Sequence, residues 1–172
     1  MNIRGKNSRG FTVVELVVVI SLLGILSVVA IGRISGPGAW YGELLATSLL
    51  TELRYGQQLA LARADTQVVV SLHRQADAWR IESATISDGV IRNQEVDLGD
   101  TNLIASNGAL IHTLAVAEPV TISFTNSGEI AALQLGAQAG SPDLGLQLAV
   151  TGTGSEILCL YNTGYASHAA CR

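Results

Sequence analysis

Residues 9–15 read Arg9-Gly10-Phe11-Thr12-Val13-Val14-Glu15, and LVVVISLLGILSVVAI follows without a break to Ile31. From Phe11 to Ile31 the segment holds one charged residue, Glu15, and no proline. Roughly 20 residues rising ~1.5 Å each in a helix cover the ~30 Å of a bilayer's hydrocarbon. An acid in such a segment costs about 2.5–3.5 kcal/mol at its centre, so its presence points to a purpose. Arg4, Lys6 and Arg9 precede the run, and Arg33 is the first charge beyond it. This bias predicts a cytoplasmic N-terminus, with everything after Ile31 outside. A cleaved secretory signal would end in an A-x-A-like site after a shorter apolar core, and SVVAIGRI offers a poor one. An ordinary signal anchor leaves Glu15 unexplained.

Working outward, the 172 residues less a leader and one membrane helix leave enough chain for a single globular domain. The apolar fraction of 48% persists beyond the N-terminal run, so that domain can bury a core. Charge is sparse, and frequent glycine suits short strands joined by tight turns. The net charge of −4 comprises ten basic and fourteen acidic side chains, and residues 1–10 carry three of the basic ones and no acid. Without them seven bases face fourteen acids, near −7, and no lysine remains, because Lys6 is the only one. No basic patch supports nucleic-acid binding. Cys159 and Cys171, an even pair in a region predicted to lie outside the cytoplasm, read as a disulfide closing a loop of about a dozen residues. A metal pair lacks further Cys or His ligands at usable spacing.

After Ile31, Gly32-Arg33-Ile34-Ser35-Gly36-Pro37-Gly38 is poor in helix formers and reads as a kink, a locally melted turn or a linker. From Ala39 to Ala64 the pattern is helical: Ala46, Leu49, Leu50, Leu53, Ala60 and Ala64 form one stripe. Thr47, Thr51, Arg54, Gln58 and Asp65 fall opposite it. Beyond Asp65 the period becomes that of strands. Gln67–Leu72 and Trp79–Ala84 predict one hairpin, and Val120–Phe124 with Ile130–Leu135 another about Asn126-Ser127-Gly128. Gly145–Val150 and Glu156–Tyr161 form a further pair around TGTGS. Asp88 to Gly108 reads as a long variable loop with one possible strand at Val90–Leu98. One helix followed by strands is an α+β plan.

The stretch RGFTVVELVVVISLLGILSVVAI resembles the signal of type IV prepilins and pseudopilins: a short basic leader ending in Gly, then Phe, an acid four positions on, and an apolar helix. The resemblance implies cleavage between Gly10 and Phe11 by a prepilin peptidase on the cytoplasmic face of a bacterial inner membrane, then N-methylation of Phe11. It implies that Glu15 neutralises the N-terminal amine of an adjacent subunit during filament assembly. The organisation that follows is a leader at 1–10, a single-pass transmembrane and filament-core helix at 11–31, a kink and the amphipathic half of the helix at 32–64, and a β-rich head at 65–172. The implied fold is pilin-like α+β, a long N-terminal helix packed on an antiparallel β-sheet head. ELRYGQQLALARADTQVVVSL, the VTISFTNSGEI hairpin and the C-terminal strand pair are similar to H-type pseudopilins and FimT-like minor pilins. A pilus of the mannose-sensitive haemagglutinin type is one setting, although no residue identifies it.

Catalytic and metal signals are weak. His73, His112 and His168 stand apart in sequence with no ligand spacing such as H-E-x-x-H, and no G-x-S-x-G occurs. TGTGS lacks a following G-K-[ST] and reads as a turn between strands. Asp88, Glu95, Asp97, Asp100 and Asn102 have oxygen ligands of the kind calcium takes, but their spacing matches no ligand series, so a solvated loop is the preferred reading. We therefore expect no cofactor, no metal and no enzyme activity. The expected function is that of a minor type IV pilin, with prepilin peptidase, the inner membrane and other pilins as partners. Gly24 and Ser27 are small enough to let neighbouring helices approach. The alternatives are an H-type pseudopilin of a type II secretion system, forming a periplasmic pseudopilus, and a signal-anchored periplasmic enzyme or receptor. The late cysteine pair favours the pilus within the resemblance. DNA capture, known for some FimT-like pilins, needs basic residues that this tail lacks apart from Arg172.

Overall fold

The computed structural model describes the backbone of residues 12–31, 37–63 and 65–171, and side chains over 12–25, 40–63 and 65–171. The chain divides into two units, Met1–Ser35 and Gly36–Arg172. The first contains helix α1 (Val13–Ile31). Its start is set by Thr12, whose Oγ1 accepts the Glu15 backbone N–H at 3.2 Å while its carbonyl accepts Leu16 N–H at 3.1 Å. Thr12 thus satisfies a donor that the first turn leaves without an intrahelical partner. T-x-x-E is the spacing of a capping box, a signal present in the sequence but missed in the sequence reading. Val13, Val14, Leu16 to Ile20, Leu22, Leu23 and Ile25 are all exposed within the unit, so α1 is apolar on every side.

The second unit is built on α2 (Pro37–Ala62). Pro37 suits a first helical position, where its fixed φ is already helical and its missing N–H costs nothing. Leu45, Ala46, Leu49, Leu53 and Ala60 are fully buried along one side. Thr47, Thr51, Arg54 and Gln58 are exposed, as the amphipathic pattern predicts. The helix stops two residues short of the expected Ala64, which lies outside the described residues, as do Gly32 to Gly36 of the expected kink.

Among the described residues eleven strands follow: β1 (Val68–Arg74), β2 (Ala78–Thr85), β3 (Gly89–Asp97), β4 (Asn102–Asn107), β5 (Leu110–Thr113), β6 (Val120–Phe124), β7 (Ile130–Leu135), β8 (Gln138–Gly140), β9 (Leu146–Thr151), β10 (Ser155–Leu160) and β11 (Ala166–Ser167). They make two antiparallel sheets, ordered β3-β2-β1-β6-β7-β8 and β11-β10-β9-β4-β5. The three expected hairpins are present as β1–β2, β6–β7 and β9–β10. Within the stretch expected as a long loop over Asp88 to Gly108, the strand expected at Val90–Leu98 is present as β3, running along β2, and the remainder is corrected: it holds a second strand, β4, on the other sheet, paired with β5 and β9. Their ladder bonds hold a segment whose Asn, Asp and Gly content disfavours strands on propensity alone.

Strand alternation places Val68, Val70 and Leu72 of β1, Ile122 and Phe124 of β6, and Leu148 and Val150 of β9 in one core with the leucines of α2. Helix and sheet meet closely at Gly56, where an added Cβ would lie 2.5 Å from Val70 Cγ2 and 3.3 Å from the Phe124 ring. A clasp made by the last described residues closes the unit. Cys159, buried on β10, is bonded to Cys171, and β11 pairs with β10 through Cys159↔Ser167 and Leu160↔Ala166. From α2, Arg54 Nε and Nη2 donate to Ala166 O at 3.2 and 3.1 Å, and Gln57 Nε2 to Thr163 O at 2.9 Å. The Arg54 guanidinium also lies over the Tyr165 ring, which is stacked with Tyr161. Gly164, at φ +78°, makes the turn possible, since a Cβ there would meet Gly128 O at 1.8 Å.

Two outcomes follow from this packing. Gly56→Val forces a side chain into a filled core and lowers unfolding free energy by on the order of 3 kcal/mol in a denaturant titration of the detergent-solubilised chain. Replacing both Cys159 and Cys171 by Ser costs about 3 kcal/mol in the same titration, as expected for a loop of this length. An unchanged midpoint in either variant would contradict the corresponding contact.

Candidate assembly helix and the polar surface of the head

Glu15 occupies the first turn of α1, beside the N-terminal end of the helix dipole, where a negative charge is favoured by about 0.3–1 kcal/mol. Its side chain is exposed and is the one charge on the helix. Gly24 lies a little over two turns further on, with nothing within 4 Å of the position a Cβ would take. The helix therefore presents an apolar cylinder with an acid at one end and a gap midway. Gly10 and Phe11, the expected processing pair, lie outside the described residues, as does the side chain of Ser27. Among the described residues no helix is long and apolar enough to cross a membrane. Side chains on α1 are described only to Ile25, short of the ~20 apolar residues that crossing needs.

In the second unit the acidic residues singled out in the sequence are dispersed rather than gathered. Asp88 pairs with Arg63 and accepts Thr85 Oγ1 at 3.1 Å. The Thr85 hydroxyl, with the Arg63 guanidinium next in weight, holds its carboxyl below the usual carboxylate value. Asp100 accepts the Thr153 hydroxyl and, at 2.9 Å, the Thr153 N–H, and the hydroxyl lowers its pKa likewise. That contact fixes the TGTGS turn, which does join two strands, β9 and β10. Glu95 pairs with Arg80 at 2.6 Å, and Asn102 accepts from Arg74 Nη1 at 3.1 Å. Among the described residues no cluster of three His, Cys, Asp or Glu side chains is placed to hold a metal. The histidines are less isolated than their sequence positions suggest. His73 lies 3.8 Å from Glu82 across the β1–β2 pair, and His168 lies 3.7 Å from Glu156.

One group escaped the sequence reading altogether. Glu52 sits on the buried side of α2 with 0% of its side chain exposed. Its Oε2 accepts Ser83 Oγ of β2 at 3.1 Å, and Arg92 Nε of β3 lies 2.7 Å from Oε1, off the angle of a hydrogen bond, so that contact is one of charge. A turn away, Ser48 Oγ accepts Gln94 Nε2 at 3.0 Å, and the Arg92 guanidinium lies over the Tyr55 ring. Ser48, Glu52 and Tyr55 thus form a polar seam along α2 that faces Arg92 and Gln94. Leucine spacing outweighed Glu52 in the helical pattern. The clue was an acid one residue before Leu53, on the side expected to be buried.

A family model described as the prokaryotic N-terminal methylation motif matches residues 5–31. No curated protein sequence matches the chain. Among solved structures, the chain is similar to the crystal structure of the type IV minor pilin FimU of Pseudomonas aeruginosa (strain PAO1), with a TM-score of 0.50 and 14% identity. That likeness covers 75% of this chain and 88% of the other, and at such identity it concerns the fold. The shared architecture is α+β, a helix packed on an antiparallel β head. The chain thus joins a prokaryotic N-terminal methylation motif over residues 5–31 to a head whose fold is similar to that of a type IV minor pilin.

Proposed function

We propose that the protein is a minor type IV pilin, a structural subunit that enters a surface filament through α1 after removal of residues 1–10. The observation that carries this reading is the methylation motif running directly into an all-round apolar helix whose single acid lies in its first turn. Such a helix has no stable place in water, so it resides in a bilayer before assembly and among other apolar helices afterwards. Inside either environment an unpaired carboxylate is unfavourable. Cleavage between Gly10 and Phe11 creates an amine, and the amine of one subunit beside Glu15 of its neighbour neutralises both charges. The motif thereby implies a prepilin peptidase and other pilins as partners and the inner membrane as the site of insertion. The comparisons do not favour the pseudopilin alternative. Because Thr12 supplies the cap, removal of residues 1–10 leaves the start of α1 intact.

Intact mass of the protein from cells with and without prepilin peptidase tests this reading. Loss of residues 1–10 and gain of one methyl group is expected only where the peptidase is present. Retention of Met1, or cleavage near Ala30, would rule the proposal out. In Glu15→Ala processing persists while recovery in sheared filaments drops roughly tenfold or more, the loss expected when one charge partner is deleted from an apolar setting. Full recovery would remove the role assigned to Glu15.

A further inference from the structure

The two sheets have four edges, and three are short: β8 has three residues, β5 four and β11 two. Short edge strands are a common way to keep a sheet from pairing with another chain. The fourth edge, β3, has nine residues. A register shift lies opposite Ser83/Ala84, near its N-terminal end, but Arg92 to Asp97 form an uninterrupted ladder with β2 on one side only. Alternate main-chain groups on the other side are left to pair outward.

The side chains along this edge give it a direction. At its start Val90 and Ile91 are exposed, next to Ile86, which is 71% exposed in the preceding turn. That turn is tied to its neighbours: Asp88 N–H donates to Thr85 Oγ1 at 3.0 Å, Ser87 N–H to Thr66 Oγ1 at 3.4 Å, and Arg63 pairs with Asp88. In the middle, Arg92 and Gln94 are turned to the α2 seam, and Glu95 is engaged by Arg80. At the far end Asp97 stands opposite Ala78 and so beside Asp77, and neither acid has an ion pair among the described residues. The edge is therefore apolar at one end and anionic at the other, with open main chain between. Only Val96 of the nine residues is buried, so the strand is held mainly by the β2 ladder and the Glu52 seam.

We propose that β3 is a strand-addition edge that receives an extended segment of a different subunit in the filament, apolar at one end and carrying Lys or Arg at the other. The proposal rests on the reading of the chain as a filament subunit. Main-chain pairing supplies affinity in such docking, and the side chains at the two ends set its direction. Charge argues against a second copy as the occupant: without its leader the chain is near −7, and two β3 edges would set Asp97 against Val90 and Ile91 if antiparallel and acid against acid if parallel.

Amide hydrogen exchange of the full-length protein, in detergent and in sheared filaments, tests this directly. Residues 89–97 slow at least tenfold in the filament, while β5 and β8 do not. A benzoylphenylalanine at Asn93, exposed at the strand's centre, forms a photo-adduct with an extended segment of another subunit. Val90→Lys combined with Ile91→Lys abolishes both signals while β9 and β10 keep their protection. Unchanged exchange at 89–97 in filaments that contain the protein overturns the proposal and leaves the pilin reading standing. An adduct with a second copy, or one that persists in the double variant, overturns it equally. Absence of the protein from filaments overturns both.

Discussion

Leu45, Leu49 and Leu53 form a single apolar stripe, and two sheets compete for it. α2 packs on strands of both sheets, so it is the element that joins them into one core. A substitution on its buried side is therefore felt by β1 and β6 on one hand and by β9 and β10 on the other. Gly56 shows how little room is left, because helix backbone and the Val70 and Phe124 side chains are already in contact there. The stripe also explains why the head needs no large aromatic content, with Trp79 and Phe124 the only fully buried large rings among the described residues.

How much of this was legible beforehand depended on whether the signal was local. The apolar run after Phe11, the α2 stripe and the three hairpins each announce themselves within fewer than twenty consecutive residues, and each is present. The β4 strand was illegible because Asn102-Leu103-Ile104-Ala105 sits among residues of low strand propensity and is fixed by β9, more than forty positions later. Glu52 was hidden for the same reason. A buried carboxylate makes sense only once Arg92 and Ser83 are beside it, and pairing β2 with β3 is what brings them there. The disulfide was readable from the count of cysteines and the expected compartment, whereas the Arg54 and Gln57 contacts with the same tail were not.

The candidate site shows a similar division. Glu15 stands out as a charge where none belongs, and its spacing from Gly10 and Phe11 carries the resemblance that implies its role. The β3 edge has no sequence signal of its own. It is recognised by comparison with the three other edges, a comparison that exists only after the strand order is known.

The clasp between α2 and the tail has a consequence for the order of events in making this protein. Arg54 and Ala166 are separated by 112 positions, and the contact between them can form only after nearly all of the chain has been delivered to one compartment. Contacts of such span are slow to close. The helix that emerges first thus waits for the last strand, whereas the Cys159–Cys171 bond spans only 12 positions and constrains that tail locally.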